Sequence, residues 1–203
     1  MITIVDYGLG NLGSIVNMYK RLGIEARISA DLQEIRSATK LLLPGVGAFD
    51  AAMERIERGG FREVLHQKAL VERVPTLGIC LGMQLLTEGS EEGTRPGLGW
   101  LRARTKKFVF SPGSPLKIPH MGWNTVEVRR QSPLTAGLPE ESRFYFVHSY
   151  HVQAENRDDV ITQTSYGIAF VSIIGRDNIF GAQFHPEKSH RFGMILLSNF
   201  ASL

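Results

Sequence analysis

The segment Gly78-Ile79-Cys80-Leu81-Gly82-Met83-Gln84 constrains the fold of this chain more than any other. The apolar run Val74-Pro75-Thr76-Leu77-Gly78-Ile79 reads as a buried strand, and Gly82 onward, with Met83, Leu85 and Leu86, reads as the start of a helix. A cysteine flanked by glycines between strand and helix is the thiol counterpart of the Gly-x-Ser-x-Gly elbow. There a sharp turn exposes the side chain, and the glycines leave room for neighbouring backbone. The helix start that follows offers free N–H groups and a positive dipole end, both of which favour a thiolate. Cys80 is the only cysteine. A lone cysteine is more often a buried structural residue, but this glycine setting favours a nucleophile.

A thiol nucleophile needs a base, and Gln183-Phe184-His185-Pro186-Glu187 offers one. Residues 178–184 have the composition of a strand with the histidine at its end. Extended backbone sends residues two apart to the same side, so His185 and Glu187 are expected on one face, with Pro186 fixing the chain between them. A carboxylate that orients an imidazole, and an imidazole that takes the thiol proton, complete a triad. A His near a Glu is usually an ordinary surface pair; its weight here comes from the Cys80 elbow in the same short chain.

The first half alternates strands and helices. Strands are expected at 2–6, 25–29 and 40–43, and a helix at 11–22 carries Leu12, Ile15, Val16, Tyr19 and Leu22 on one face. Asp31 caps a short helix, with Glu34 three residues on as in a capping box. Strand 40–43 runs into Pro44-Gly45-Val46-Gly47, and a helical region at 50–72 is broken at Gly59-Gly60. This rhythm argues for a parallel sheet with helices on both faces, whose site lies at the carboxyl ends of the strands, where Pro44-Gly45-Val46-Gly47 and Cys80 fall. Residues 88–99 form a polar loop, and 100–183 read as short strands with tight turns, an antiparallel extension of one domain spanning 1–203. A closing helix at 191–201 carries Phe192, Ile195, Leu196 and Phe200 on one face.

Composition narrows the function classes. With 203 residues and 43% hydrophobic content, the chain can bury a sizeable core and is not disordered. No apolar run approaches the roughly 18 residues of a membrane span, and the first residues lack the basic region of a signal peptide. A single cysteine permits no internal disulfide, so the expected compartment is the reducing cytoplasm. The net charge of +3 is mild. The basic run Arg102, Arg104, Lys106, Lys107, followed by Arg129 and Arg130, has no interleaved aromatics, and no nucleic-acid partner is expected.

Two motifs invite other readings. Gly8-Leu9-Gly10-Asn11-Leu12-Gly13 is a literal Gly-x-Gly-x-x-Gly with Asp31 near the distance of a ribose ligand. Against a dinucleotide, Asp6 would stand beside the pyrophosphate, and Cys80, His185 and Glu187 would go unexplained; no cofactor is expected. His148 and His151 lie in a strand-like stretch that sends them to opposite faces, and His120 is isolated. With no second cysteine and no His-Glu-x-x-His helix, no metal site is expected either.

Together, Cys80-Leu81-Gly82-Met83-Gln84 and, about a hundred residues later, His185-Pro186-Glu187 resemble the signature of the class I (triad) glutamine amidotransferases. The resemblance spans essentially the whole chain. It implies an α/β fold: a flavodoxin-like parallel sheet with flanking helices and an antiparallel strand extension. It also implies a glutaminase in which Cys80 attacks the side-chain amide of glutamine and His185, oriented by Glu187, moves the protons. The oxyanion donors would be the N–H of Leu81 and one from the Val46-Gly47 region. Gly45, Gln84 and the Ser149-Tyr150 backbone would hold the substrate. Asp6-Tyr7-Gly8-Leu9-Gly10-Asn11-Leu12, Leu43-Pro44-Gly45-Val46-Gly47-Ala48-Phe49, Pro119-His120-Met121-Gly122-Trp123-Asn124 and Tyr145-Phe146-Val147-His148-Ser149-Tyr150 narrow the resemblance further. They point to the branch that delivers ammonia to a (β/α)8-barrel cyclase subunit, with Asn11, Met121, Trp123 and Lys188 facing that partner. Read from the residues alone, Gln84, Met121 and Trp123 serve equally as local packing. A silent regulatory subunit, a hydrolase for another amide, and service to a different synthase also remain open. The roles of His148, His151 and Tyr145 are unassigned.

Overall fold

The computed structural model describes residues 1–203. The parallel half runs β1 (Ile2–Val5), α1 (Leu12–Arg21), β2 (Ala26–Ser29), α2 (Leu32–Arg36), β3 (Leu41–Gly45), α3 (Phe49–Arg58), α4 (Phe61–His66), β4 (Thr76–Cys80) and α5 (Leu81–Leu85). The rest comprises β5 (Ala103–Lys107), β6 (His120–Thr125), β7 (Glu127–Val128), β8 (Arg143–His148), β9 (Tyr150–Ala154), β10 (Val160–Tyr166), β11 (Ile168–Arg176), β12 (Ile179–Ala182) and α6 (His190–Ser202). The helices form where the sequence gives them an apolar face. Phe49, Ala52, Met53 and Ile56 of α3 recur at helical spacing and are all buried. Asp31 caps α2 by accepting from the N–H groups of Gln33 and Glu34.

Ten strands form one sheet in the order β2-β1-β3-β4-β12-β11-β10-β7, with β9 and β5 branching from β11. β2, β1, β3, β4 and β12 pair in parallel, and from β12 outward the pairing is antiparallel. The core lies on both faces. Leu41 and Leu43 pack with the α3 and α4 residues Met53, Ile56 and Leu65. Leu42 packs on the opposite side with Tyr19 of α1 and Leu196 and Phe200 of α6. An apolar run in β3 is therefore what a strand covered on both faces requires.

Two expectations about the second half need correcting. β12 lies within the stretch expected to be antiparallel, yet it joins the parallel part beside β4. β6 and β8 leave the main sheet to form a separate antiparallel pair, His120 opposite His148 and Thr125 opposite Arg143. Its consequence is positional: the pair carries Met121, Trp123, Val147 and His148 to the rim of the parallel strands.

Candidate active site

β3, β4 and β12 are neighbours, and the chain leaving their carboxyl ends supplies Val46, Cys80 and His185. Gly45 stands opposite Cys80 in register. Cys80 sits at φ 55° and ψ −110°, a backbone conformation that costs a side-chain-bearing residue free energy and persists only where the surroundings impose it. The surroundings here are backbone. A methyl group on Gly82 would sit 1.8 Å from the Leu43 carbonyl oxygen, and one on Gly78 would sit 2.5 Å from the Gly82 oxygen. The two glycines thus let β3, β4 and α5 close on one another and force the turn that presents the sulfur.

His185 follows β12, and its Nδ1 lies 2.8 Å from Glu187 Oε1, with both side chains 2% exposed. The pair forms as expected, but not through extended backbone: Pro186–Lys188 is a single 3₁₀ turn that folds the carboxylate back under the ring. The backbone of His185 is also held. Its N–H donates to the Tyr145 carbonyl at 2.9 Å, and the Ser189 hydroxyl donates to its carbonyl at 2.6 Å. Nε2 is buried without a hydrogen bond of ordinary geometry. Burial alone would push this imidazole's pKa down. The neighbouring Cys80 sulfur and the Glu187 carboxylate outweigh burial and raise it to about 10. The arrangement therefore favours an imidazolium beside the sulfur.

A cavity of about 320 Å³ opens over Cys80, lined by Val46, Gly47, Leu81, Gln84, Glu92 and His185 among others. Ser149 and Tyr150 border it. Gly45 does not: it lies beneath the elbow, where a methyl group would meet the Tyr7 hydroxyl at 2.7 Å and Leu81 at 2.9 Å. Val46 and Gly47 are exposed, and neither N–H is used in a backbone hydrogen bond. Gln84 is buried, and its carboxamide donates to the Tyr150 carbonyl and to Gln183 Oε1 at 3.2 and 3.1 Å.

Several residues at the site had no signal in the sequence. Gln183 donates toward Cys80 Sγ at 3.8 Å. Glu92 lines the cavity and is held by the Phe49 N–H at the start of α3, 2.9 Å away. Tyr7 is buried and its hydroxyl donates to the Pro44 carbonyl, bracing the turn after β3. The Gly-x-Gly-x-x-Gly loop has a different use as well. Asp6 Oδ1 accepts from the Gly8 N–H at 2.9 Å, and Asp31 caps α2.

The remaining expectations divide. Asn11 and Lys188 are exposed, and Met121 and Trp123 are 62% and 46% exposed, so their reading as core packing fails. Trp123 stacks on His190 with ring centroids 5.4 Å apart, and Lys188 lies 5.6 Å from the Tyr145 ring. His148 and His151 do not face opposite ways. Ser149 separates β8 from β9, and both rings come against Phe108, at 5.3 and 4.8 Å. Nor is His120 isolated: its Nδ1 lies 3.0 Å from His148 Nε2.

A strained cysteine elbow at the end of one parallel strand, with a buried imidazole–carboxylate pair beyond its neighbour, is the architecture of enzymes that cleave amides through a thioester. The class-I glutamine amidotransferase family matches residues 3–202, and the chain belongs to it. Over all of both chains it is 47% identical to imidazole glycerol phosphate synthase subunit HisH 2 of Pseudomonas aeruginosa. It is 51% identical to the subunit of that name from Methanococcus maripaludis, over 98% of each chain. Among solved structures, a glutamine amidotransferase superposes with a TM-score of 0.76 at 18% identity, covering 100% of this chain and 99% of the other. A glutamine amidotransferase of Thermotoga maritima gives 0.62 at 17% identity, covering 99% and 82%. At such identities these two speak for the fold alone.

Proposed function

We propose that this chain is the glutaminase subunit of an imidazole glycerol phosphate synthase. The reading rests on one observation above all: full-length identity of 47–51% to HisH subunits in a chain whose Cys80 and His185 line one cavity, with Glu187 paired to His185.

The chemistry follows from the geometry. The Cys80 thiolate attacks the side-chain carboxamide carbon of glutamine and pushes the carbonyl electrons onto oxygen. The Leu81 N–H, at the unpaired start of α5, donates to that oxyanion. Val46 and Gly47 line the same cavity as Leu81 with their N–H groups free, and one of these supplies the second donor once the peptide turns inward. The His185 imidazolium gives its proton to the departing nitrogen, so the C–N bond breaks with loss of ammonia and leaves a γ-glutamyl thioester. The neutral imidazole then takes a proton from water, whose oxygen attacks the thioester, releasing glutamate and the thiolate. Gln84 and the Ser149-Tyr150 backbone hold the amino-acid end of the substrate, and the Glu92 carboxylate suits its ammonium group.

Ammonia freed into neutral water is mostly protonated and no longer a nucleophile, so its release needs a protected acceptor. The exposed Met121, Trp123, Lys188 and Asn11 fit the face toward a (β/α)8-barrel cyclase, where the ammonia would enter imidazole ring closure in histidine biosynthesis. Losing one oxyanion donor typically costs about 10²- to 10³-fold in rate, so docking that turns the Val46-Gly47 peptide would act as a switch. The test is glutamate release by the chain alone and with the cyclase subunit plus its ribonucleotide. Weak activity alone, a large rise in the mixture, and loss of both in Cys80→Ala are expected. Equal activity in both settings would reject the partner; no activity in either, with the cyclase competent on added ammonia, would reject the function.

A further inference from the structure

From the cavity wall a polar line runs back through His148 to His120, two histidines that the proposed reaction does not use. His148 Nδ1 lies 2.7 Å from the Tyr150 carbonyl oxygen. A carbonyl only accepts, so His148 carries its proton on Nδ1. Burial pushes the His148 imidazole down to about 3 and that of His120 down to about 4, which keeps both neutral near pH 7. Nε2 of His148 is therefore an acceptor, and His120 Nδ1, 3.0 Å away, must donate to it. His120 Nε2 is then an acceptor in turn, facing the Asn124 amide at 3.3 Å, and that amide also donates to the Ser165 carbonyl at 2.9 Å. One carbonyl at the end of the line fixes both tautomers.

The same Tyr150 oxygen takes its second donor from Gln84, whose carboxamide continues to Gln183 and thence toward Cys80 Sγ. Packing removes alternatives: the His120 ring is stacked between Tyr166 and Phe146, with centroids 4.1 and 4.9 Å apart. His120 itself does not line the cavity. Its reach is through His148 to the turn between β8 and β9.

We propose that His120 is a positioning residue for glutamine, acting through His148 to hold the Tyr150 carbonyl and with it the Ser149-Tyr150 backbone and the Gln84 carboxamide. The proposal rests on the reading of this cavity as the glutamine site. Without the His120 donor, His148 Nε2 is left buried and unpaired, and its ring is free to change tautomer and release the turn. The loss falls on recognition of the amino-acid end and not on the sulfur.

Two electrophiles separate these effects on the chain complexed with its cyclase subunit. The glutamine analogue 6-diazo-5-oxo-L-norleucine must be recognised before it labels Cys80; iodoacetamide needs only a reactive sulfur. In His120→Phe, which keeps a stacked ring, the half-saturating concentration of the analogue should rise about tenfold, the size expected for a buried group left unpaired. The iodoacetamide rate should stay at the wild-type value. His120→Asn, which places an N–H near the position of Nδ1, should recover most of the loss. Asn124→Ala removes the first donor without touching the ring stack and should show the same split at smaller size, even should His120→Phe not fold. Unchanged saturation in these variants, equal slowing of both reagents, or no advantage of Asn over Phe would overturn the proposal. A wild-type complex labelled at Cys80 by iodoacetamide but not by the analogue would retire the glutamine-site reading and the proposal with it.

Discussion

At His185 burial and charge oppose each other, and charge wins: the sulfur of Cys80 and the carboxylate of Glu187 raise the imidazole to about 10 against the desolvation that would lower it. Because the folded ring holds its proton more tightly than the unfolded one, it contributes stability in full below about pH 6.5. That contribution is lost as pH rises toward 10. Glu187→Gln keeps the size and an acceptor oxygen but removes the charge. The His185 midpoint, followed by NMR, should fall toward the ordinary imidazole value, and kcat should drop about 10²- to 10⁴-fold with little change in KM. A midpoint unmoved from wild type would mean that Glu187 does not charge the ring. The Cys80 elbow and the His185–Glu187 pair were legible in the sequence because each carries its own local geometry: glycines around Cys80, and a proline between His185 and Glu187. Gln183, Glu92 and His120 were not, since their partners Cys80, Phe49 and His148 stand 103, 43 and 28 residues away.

Among the elements, the elbow between β4 and α5 depends on close backbone approach. Gly82→Ala would drive a methyl group into the Leu43 carbonyl, 1.8 Å away, whereas Gly13 in α1 has nothing within 4 Å. Urea unfolding should show Gly82→Ala destabilised by about 3 kcal/mol, and Gly13→Ala stabilised by about 0.5–1 kcal/mol. Equal effects would show that the elbow is not as tightly closed as these distances require. The helices and parallel strands were readable from apolar spacing, which depends on neighbours along the chain. The fate of residues 145–151 was not: Ser149 ends one strand and lets the next begin, which turns His148 and His151 to the same aromatic cluster around Phe108. Similarly, Pro186 does fix the chain after His185, but in a 3₁₀ turn.

Across the whole molecule, a sheet covered on both faces leaves its open chemistry at the carboxyl ends of the strands, and the β6–β8 pair extends from that end. An exposed tryptophan stacked on His190 beside Met121 and Lys188 is the composition of a binding hot spot. On the proposed docking of a cyclase subunit at this face, Trp123→Ala should weaken its binding by about 2 kcal/mol, or roughly 30-fold in Kd by calorimetry; unchanged affinity would place the partner elsewhere. Cleavage of glutamine by Cys80 through a covalent intermediate is tested most directly by acid-quenching the complex during turnover and mapping its peptides by mass. An adduct equal to glutamine less ammonia is expected on the peptide bearing Cys80, and none in Cys80→Ala. Continued turnover with Cys80 replaced, or an adduct on another residue, would contradict it.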